Sequence, residues 1–118
     1  MPIPASGVER SRDVGGWALL VLWGEADAAV VPALRAAVDA LVAQHRAHMV
    51  WDLQDVTFMD SAGLGCLVYA MRLAEARQGV VRLAGAVPQV LRLLDLTGLG
   101  TVVEVFPDVR SAVATARG

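Results

Sequence analysis

Short apolar runs of strand length alternate with stretches of helical composition along this chain, and glycine or proline stands at most of the joins. That alternation constrains the fold most. Parallel strands need a crossover between them, and a helix is the usual one. Residues 8–12 read as a first short strand and Val14-Gly15-Gly16 as a turn. Residues 17–23 form the strongest strand-like run, and Gly24-Glu25-Ala26-Asp27 breaks it. Pro32 suits the first turn of a helix that reaches about Gln44. Residues 49–53, within the apolar run that starts at His48, read as a strand. Residues 62–78 then read as a helix that Gly79 ends. Residues 80–84 read as a strand, Gly85 as a turn, and Pro88 opens a helix to about Leu96. Residues 97–100 break that helix, residues 102–105 make the last strand, and Pro107 starts a terminal helix. The order β-β-α-β-α-β-α-β-α implies an α/β fold. Its sheet is mixed and mostly parallel, with an N-terminal antiparallel hairpin. The 118 residues match one domain, 1–118, of which 1–7 are expected to form a loose N-terminal segment.

Composition removes several classes of function. A hydrophobic content of 56% is ample for a core. The net charge of −2, with no basic stripe, argues against nucleic acid as a partner. A single cysteine, Cys66, excludes an internal disulfide and suits a reducing compartment. The start, Met1-Pro2-Ile3-Pro4-Ala5, lacks the charged-then-apolar pattern of a signal peptide. The run at 17–23 falls far short of the roughly 20 residues that a membrane helix needs. A cytoplasmic protein with no membrane contact is therefore expected. The chain has no lysine or asparagine and one isoleucine, Ile3, a bias that points to a GC-rich genome.

The segment 58–65, Phe-Met-Asp-Ser-Ala-Gly-Leu-Gly, joins a strand-like run to a helix-like run. Ser61, beside Asp60, falls at the positive end of a helix, where free backbone N–H groups attract a negative group. That is a good place for a regulatory phosphate. The plainer role is a helix N-cap, which serine and aspartate both favour, and local sequence leaves both open.

Catalytic readings fare worse. Gly63-Leu64-Gly65 continues as Cys66-Leu67-Val68, so the third glycine of a dinucleotide fingerprint is missing. A phosphate-binding loop needs the lysine that the chain lacks. Met59 stands where a hydrolase nucleophile elbow needs glycine. His45 and His48 fall where a helix ends and a strand begins, and read as solvated. Asp52, Asp55 and Asp60 have no further ligand at metal-binding spacing. Cys66 reads as a small buried residue. An enzyme using Ser61 as nucleophile is a remote alternative, since no base is identifiable.

Three separate stretches carry a family resemblance. Asp60-Ser61-Ala62-Gly63-Leu64-Gly65, with its lead-in from Asp52, resembles the signature of the STAS domain family, above all its bacterial anti-sigma factor antagonists. Residues 17–27 look like the family's second strand and its Gly-Glu-x-Asp turn. Leu-Arg-Leu-Leu-Asp-Leu-Thr-Gly at 91–98 is similar to the family's late helix and its Thr-Gly ending. The resemblance implies partner switching. An anti-sigma factor that is also a serine kinase would bind the unphosphorylated chain and release its sigma factor. Phosphorylation at Ser61 would block that binding, and a serine phosphatase would reset it. ATP and Mg²⁺ would belong to the kinase, so no cofactor is expected here. Ala62 stands where some members carry a second hydroxyl, which leaves Ser61 the one candidate in the motif. Ala28-Ala29-Val30-Val31 departs from members with a hydroxyl residue after the turn. A STAS module of another assembly, stressosome-like or lipid-transporting, is the alternative. A monomer or weak dimer is expected.

The partner surface is expected to combine the turn at 24–27, with Glu25 and Asp27, and the first half of the 62–78 helix. On that helix Leu64, Leu67, Val68, Met71 and Ala74 form the inward stripe by 3.6-residue periodicity. Gly65, Tyr69 and Arg72 then point outward. Tyr69 and Arg72 are residue types that often carry interface energy, although an exposed tyrosine is as often inert. With Asp60, Ser61, Ala62, Gly63 and Leu64 they complete the expected binding set.

Overall fold

A computed structural model describes residues 3–116. Five strands, β1 (Gly7–Val14), β2 (Trp17–Ala26), β3 (His48–Met59), β4 (Val80–Ala84) and β5 (Glu104–Phe106), form one sheet in sequence order. β1 and β2 are an antiparallel hairpin, and all later pairings are parallel. Helices α1 (Val31–Ala43), α2 (Ser61–Ala76), α3 (Pro88–Thr97) and α4 (Val109–Ala114) make the connections and the end. The expected α/β order is therefore the observed one.

Alternation along β2 separates two cores. Ala18, Leu20 and Leu22 join the larger one with Leu34, Val38 and Leu41 of α1, Leu67, Ala70 and Ala74 of α2, and Val90 and Leu94 of α3. Trp17 and Leu19 face the other way, into a smaller cluster with Val50, Ala84 and Ala112 of α4. The central strands thus read as unbroken apolar runs because helices cover both faces.

Several boundaries differ from expectation: β1 runs through Val14, α2 stops at Ala76, and the terminal helix starts at Val109, capped by Asp108, rather than at Pro107. β2 does not break at Gly24 but runs on to Ala26, with register shifts between Val21 and Trp23 and between Gly24 and Glu25. Gly24 takes φ +74°, and a Cβ there would lie 2.1 Å from the Ala5 carbonyl oxygen. β3 runs to Met59 rather than Leu53, because β2 continues to pair with it as far as Ala26↔Met59. The last strand starts at Glu104, since a 3-10 turn over Leu99–Thr101 takes Val102 as its cap and leaves it exposed. Within the segment expected to be loose, Trp23 Nε1 donates to the Pro4 carbonyl and the Glu25 N–H donates to Ser6 Oγ. Met1 and Pro2 lie outside the described residues.

Candidate functional site

β2 and β3 end side by side, with Glu25 beside Phe58 and Ala26 beside Met59. Their parallel ends bring the two expected halves of the surface together. The Asp60 N–H donates to the Ala26 carbonyl at 3.4 Å, and the chain then turns into α2. Asp60, not Ser61, is the cap. Its backbone is extended, and its carboxylate accepts from the Ala62 N–H at 2.9 Å and the Gly63 N–H at 3.3 Å. Ser61 is the first helical residue and is exposed. Its hydroxyl has no hydrogen bond among the described residues.

Gly63 is required by packing. A Cβ at that position would lie 2.3 Å from the Ala26 carbonyl oxygen and 2.9 Å from Met59 Cγ. The first turn of α2 therefore sits directly on the ends of β2 and β3. Leu64 is buried and Ala62 half-buried, so neither is a free surface side chain. Gly65 is exposed, with nothing within 4 Å of a Cβ placed there. Glu25 is exposed at the strand end. Asp27 is half-buried and closes its own turn, accepting from the Ala29 N–H at 3.1 Å.

The inward stripe of α2 is rotated from expectation. Gly63, Cys66 and Ala70 are fully buried with Leu64, Leu67 and Ala74, whereas Val68 and Met71 are half-buried. Small residues occupy the deepest positions because α1 packs closely alongside. Tyr69 is likewise half-buried rather than outward. Its hydroxyl donates to Asp39 of α1, and the Arg35 guanidinium lies 4.0 Å from its ring centroid. The bond to Asp39 holds the Tyr69 hydroxyl above its usual pKa, with Arg35 opposing. Arg72 is exposed. It lies about 16 Å along the helix from Ser61, by the rise of 1.5 Å per residue.

An open groove of about 440 Å³ runs between α1 and α2, next to Ser61. Val31, Arg35, Ala62, Gly65, Cys66 and Tyr69 are among its lining. Cys66 is 3% exposed, and burial pushes its thiol up to about 11. That suits an inert packed thiol and not a nucleophile.

Other sequence candidates separate from this site. His45 is exposed, as expected, but His48 is half-buried, its ring edge-on to Trp17 at 5.6 Å. Asp52 accepts from the Gln54 N–H. Among the described residues no group of three His, Cys, Asp or Glu side chains could hold a metal, and no helix is long and apolar enough to cross a membrane. Two contacts escaped the sequence: Arg35 of α1 lies over Tyr69, and the Gln89 side chain of α3 bonds to the Met59 backbone, and nothing in their local patterns marks them.

The STAS domain family model matches residues 8–112. The chain belongs to the STAS domain family. It is 33% identical over 82 residues to the anti-sigma-B factor antagonist of Listeria monocytogenes, covering 70% of this chain and 72% of that one. It has the same identity over 82 residues to the anti-sigma-B factor antagonist of Bacillus subtilis, covering 70% and 74%. Among solved structures, an anti-sigma factor antagonist from Mycobacterium paratuberculosis superposes with a TM-score of 0.81 and 28% identity, covering 97% of both chains. The Bacillus cell fate determinant SpoIIAA, in its phosphorylated form, gives a TM-score of 0.74 at 24% identity, covering 93% of this chain and 99% of that one. At that identity the likeness speaks to the STAS fold alone.

Proposed function

We propose that this chain is an anti-sigma factor antagonist whose binding is switched by phosphorylation of Ser61. One observation carries the reading: an exposed, unbonded Ser61 hydroxyl at the first position of α2, directly after the capping Asp60. The 33% identity to two anti-sigma-B factor antagonists supplies the partner class.

In the unphosphorylated state, the ends of β2 and β3, the first turn of α2 and the groove beside it offer a contact surface that already carries Glu25, Asp27 and Asp60, with Arg35 in the groove. The partner is an anti-sigma factor that is also a serine kinase and brings ATP and Mg²⁺. Phosphorylation adds roughly −1.5 to −2 charges. The Ala62 and Gly63 N–H groups are already taken by Asp60, so a phosphate on Ser61 cannot use those two without displacing a charge-assisted cap. It therefore projects outward beside a second negative group. At an interface that charge is desolvated without a partner, which costs several kcal/mol, and about 1.4 kcal/mol is already tenfold in affinity. No refolding is needed. A serine phosphatase restores the unphosphorylated state.

The test is binding and modification together. Incubation with the cognate anti-sigma factor and ATP should place one phosphate, on Ser61. Ser61→Ala should bind constitutively, and Ser61→Glu should bind more weakly by calorimetric titration. A phosphate found mainly on Thr57, or equal affinity for wild type and Ser61→Glu, overturns the switch.

A further inference from the structure

β3 outlasts one of its neighbours. Its pairing with β4 ends at Asp52↔Ala84, whereas its pairing with β2 continues to Ala26↔Met59. Past Asp52 one edge of β3 has no strand beside it, and a bare edge leaves backbone N–H and C=O groups in need of partners. At Met59 a side chain supplies them. Gln89 Oε1 accepts from the Met59 N–H at 2.9 Å, and Gln89 Nε2 donates to the Met59 carbonyl at 2.8 Å. A primary amide carries its acceptor and donors on one end. It therefore reproduces the pair of bonds that a facing strand residue would make. Gln89 thus holds the Met59 backbone on one edge, while on the other edge the Asp60 N–H donates to the Ala26 carbonyl. The next residue is the Asp60 cap, and the one after it is Ser61.

We propose that Gln89 is a positioning residue: its amide fixes the backbone of Met59, and through Met59 the Asp60 cap and the presentation of Ser61. The inference deepens the phosphorylation reading of Ser61 and rests on it for its functional meaning. Gln89 is the second residue of α3 and is half-buried. The Met59 side chain is 1% exposed and lies against Gly63, so the backbone held by Gln89 also seats the first turn of α2. α3, which supplies none of the expected binding residues, reaches the phosphoacceptor through this one amide.

Gln89→Met keeps the approximate size and removes both bonds. In the isolated protein, followed by NMR, the Met59 amide should exchange about tenfold faster. The Ala62 and Gly63 amides should shift and lose protection with it, while Val81 and Leu83 in β4 stay as they were. Gln89→Glu supplies a rescue that mere packing does not predict. A neutral carboxyl both donates and accepts, whereas a carboxylate only accepts. At acid pH its Met59, Ala62 and Gly63 amides should match wild type at the same pH, and they should depart from wild type as the carboxyl ionises, because the bond to the Met59 carbonyl is lost while that from the Met59 N–H is kept. That titration decides alone if Gln89→Met does not fold. Unmoved Ala62 and Gly63 amides overturn the proposal. With the cognate kinase, Gln89→Met should lower kcat for Ser61 more than about fivefold with KM near wild type, because acceptor geometry is lost and docking is kept. Equal rates for wild type and Gln89→Met overturn it as well. A wild-type chain that no partner kinase phosphorylates at Ser61 removes the functional reading, and the amide data still judge Gln89 separately.

Discussion

The guanidinium carbon of Arg82 lies 4.5 Å from the ring centroid of Trp17, beneath α4. Phe106 stacks from a second direction at 5.1 Å. Arg82 is 1% exposed, the one buried charged residue among those described. Its charge is fully engaged. Nε donates to Glu104, Nη1 to the carbonyls of Ala112 and Thr115, and Nη2 to the carbonyl of Ala116. These carbonyls belong to the end of α4 and the residues after it, where helix carbonyls lack partners and the dipole favours a cation. One arginine thus fastens the C-terminal segment to the sheet.

Arg82→Ala should lower unfolding stability by about 3 kcal/mol, since it strips packing from Trp17 and leaves the buried Ala112 carbonyl without its donor. Arg82→Lys should recover only part of that loss, because an ammonium cannot fork to three carbonyls and stack on two rings. Urea denaturation of the three proteins measures the ranking. Equal stability of wild type and Arg82→Lys would show that the charge alone matters.

The caps make a second ranking. Asp60→Ala removes the bonds to Ala62 and Gly63 and should cost about 1 kcal/mol. Ser61→Ala removes an exposed hydroxyl without a hydrogen bond and should stay within about 0.5 kcal/mol of wild type. Thermal midpoints of the two variants test this. A larger loss for Ser61→Ala would return the cap to Ser61.

What the sequence disclosed and what it hid follow from the range of each interaction. The alternation of runs at 17–23, 49–53 and 80–84 gave the sheet, because central strands are apolar on both faces. Asp60-Ser61 marked the start of α2, because capping is local. β3 looked finished at Leu53 because Gln54, Asp55 and Thr57 are exposed there, yet β2 still pairs with it to Met59. Helical periodicity placed Tyr69 outward, but α1 lies close enough for Asp39 and Arg35 to hold it. The Gln89 clamp spans 30 residues and makes no periodic pattern.

Two glycines of α2 should respond in opposite ways. Gly63→Ala forces a methyl to within 2.3 Å of the Ala26 carbonyl, so it should destabilise despite the better helix propensity of alanine. Gly65→Ala meets open space and should stabilise by about 0.5–1 kcal/mol. Because Gly65 lines the groove beside Ser61, its variant should still bind the anti-sigma factor more weakly. Denaturation and binding assays on both variants separate the effects. A stabilised Gly65→Ala with unchanged affinity would place the partner off the groove.

Cys66 gives a pH dependence with a definite sign. Its folded pKa is raised from 9.0 to about 11 by burial. The thiol's contribution is therefore complete below 9 and falls as pH rises toward 11, because the unfolded chain loses its proton first. Cys66→Ala should flatten the alkaline limb of the stability profile over that window. In the native protein the thiol should react with a disulfide reagent at pH 8 far more slowly than in urea, since the thiolate is the nucleophile. Equal rates would mean that the groove opens to Cys66.

The last prediction separates Tyr69 from Arg72. Both stand on the proposed partner surface, but only Tyr69 is woven into the fold, through Asp39, Arg35 and the larger core. Tyr69→Ala should therefore lower stability by about 1–3 kcal/mol and weaken binding as well. Tyr69→Phe keeps the ring under Arg35, loses the bond to Asp39 and should bind nearly as wild type. Arg72 is exposed and has no ion pair among the described residues, so Arg72→Ala should leave the thermal midpoint within about 1 °C. If the interface reaches three turns along α2 from Ser61, its affinity should fall by about fivefold or more, and more so at low salt. Calorimetric titration of Arg72→Ala at two salt concentrations decides it. Unchanged affinity at both confines the interface to the first two turns of α2 and the ends of β2 and β3.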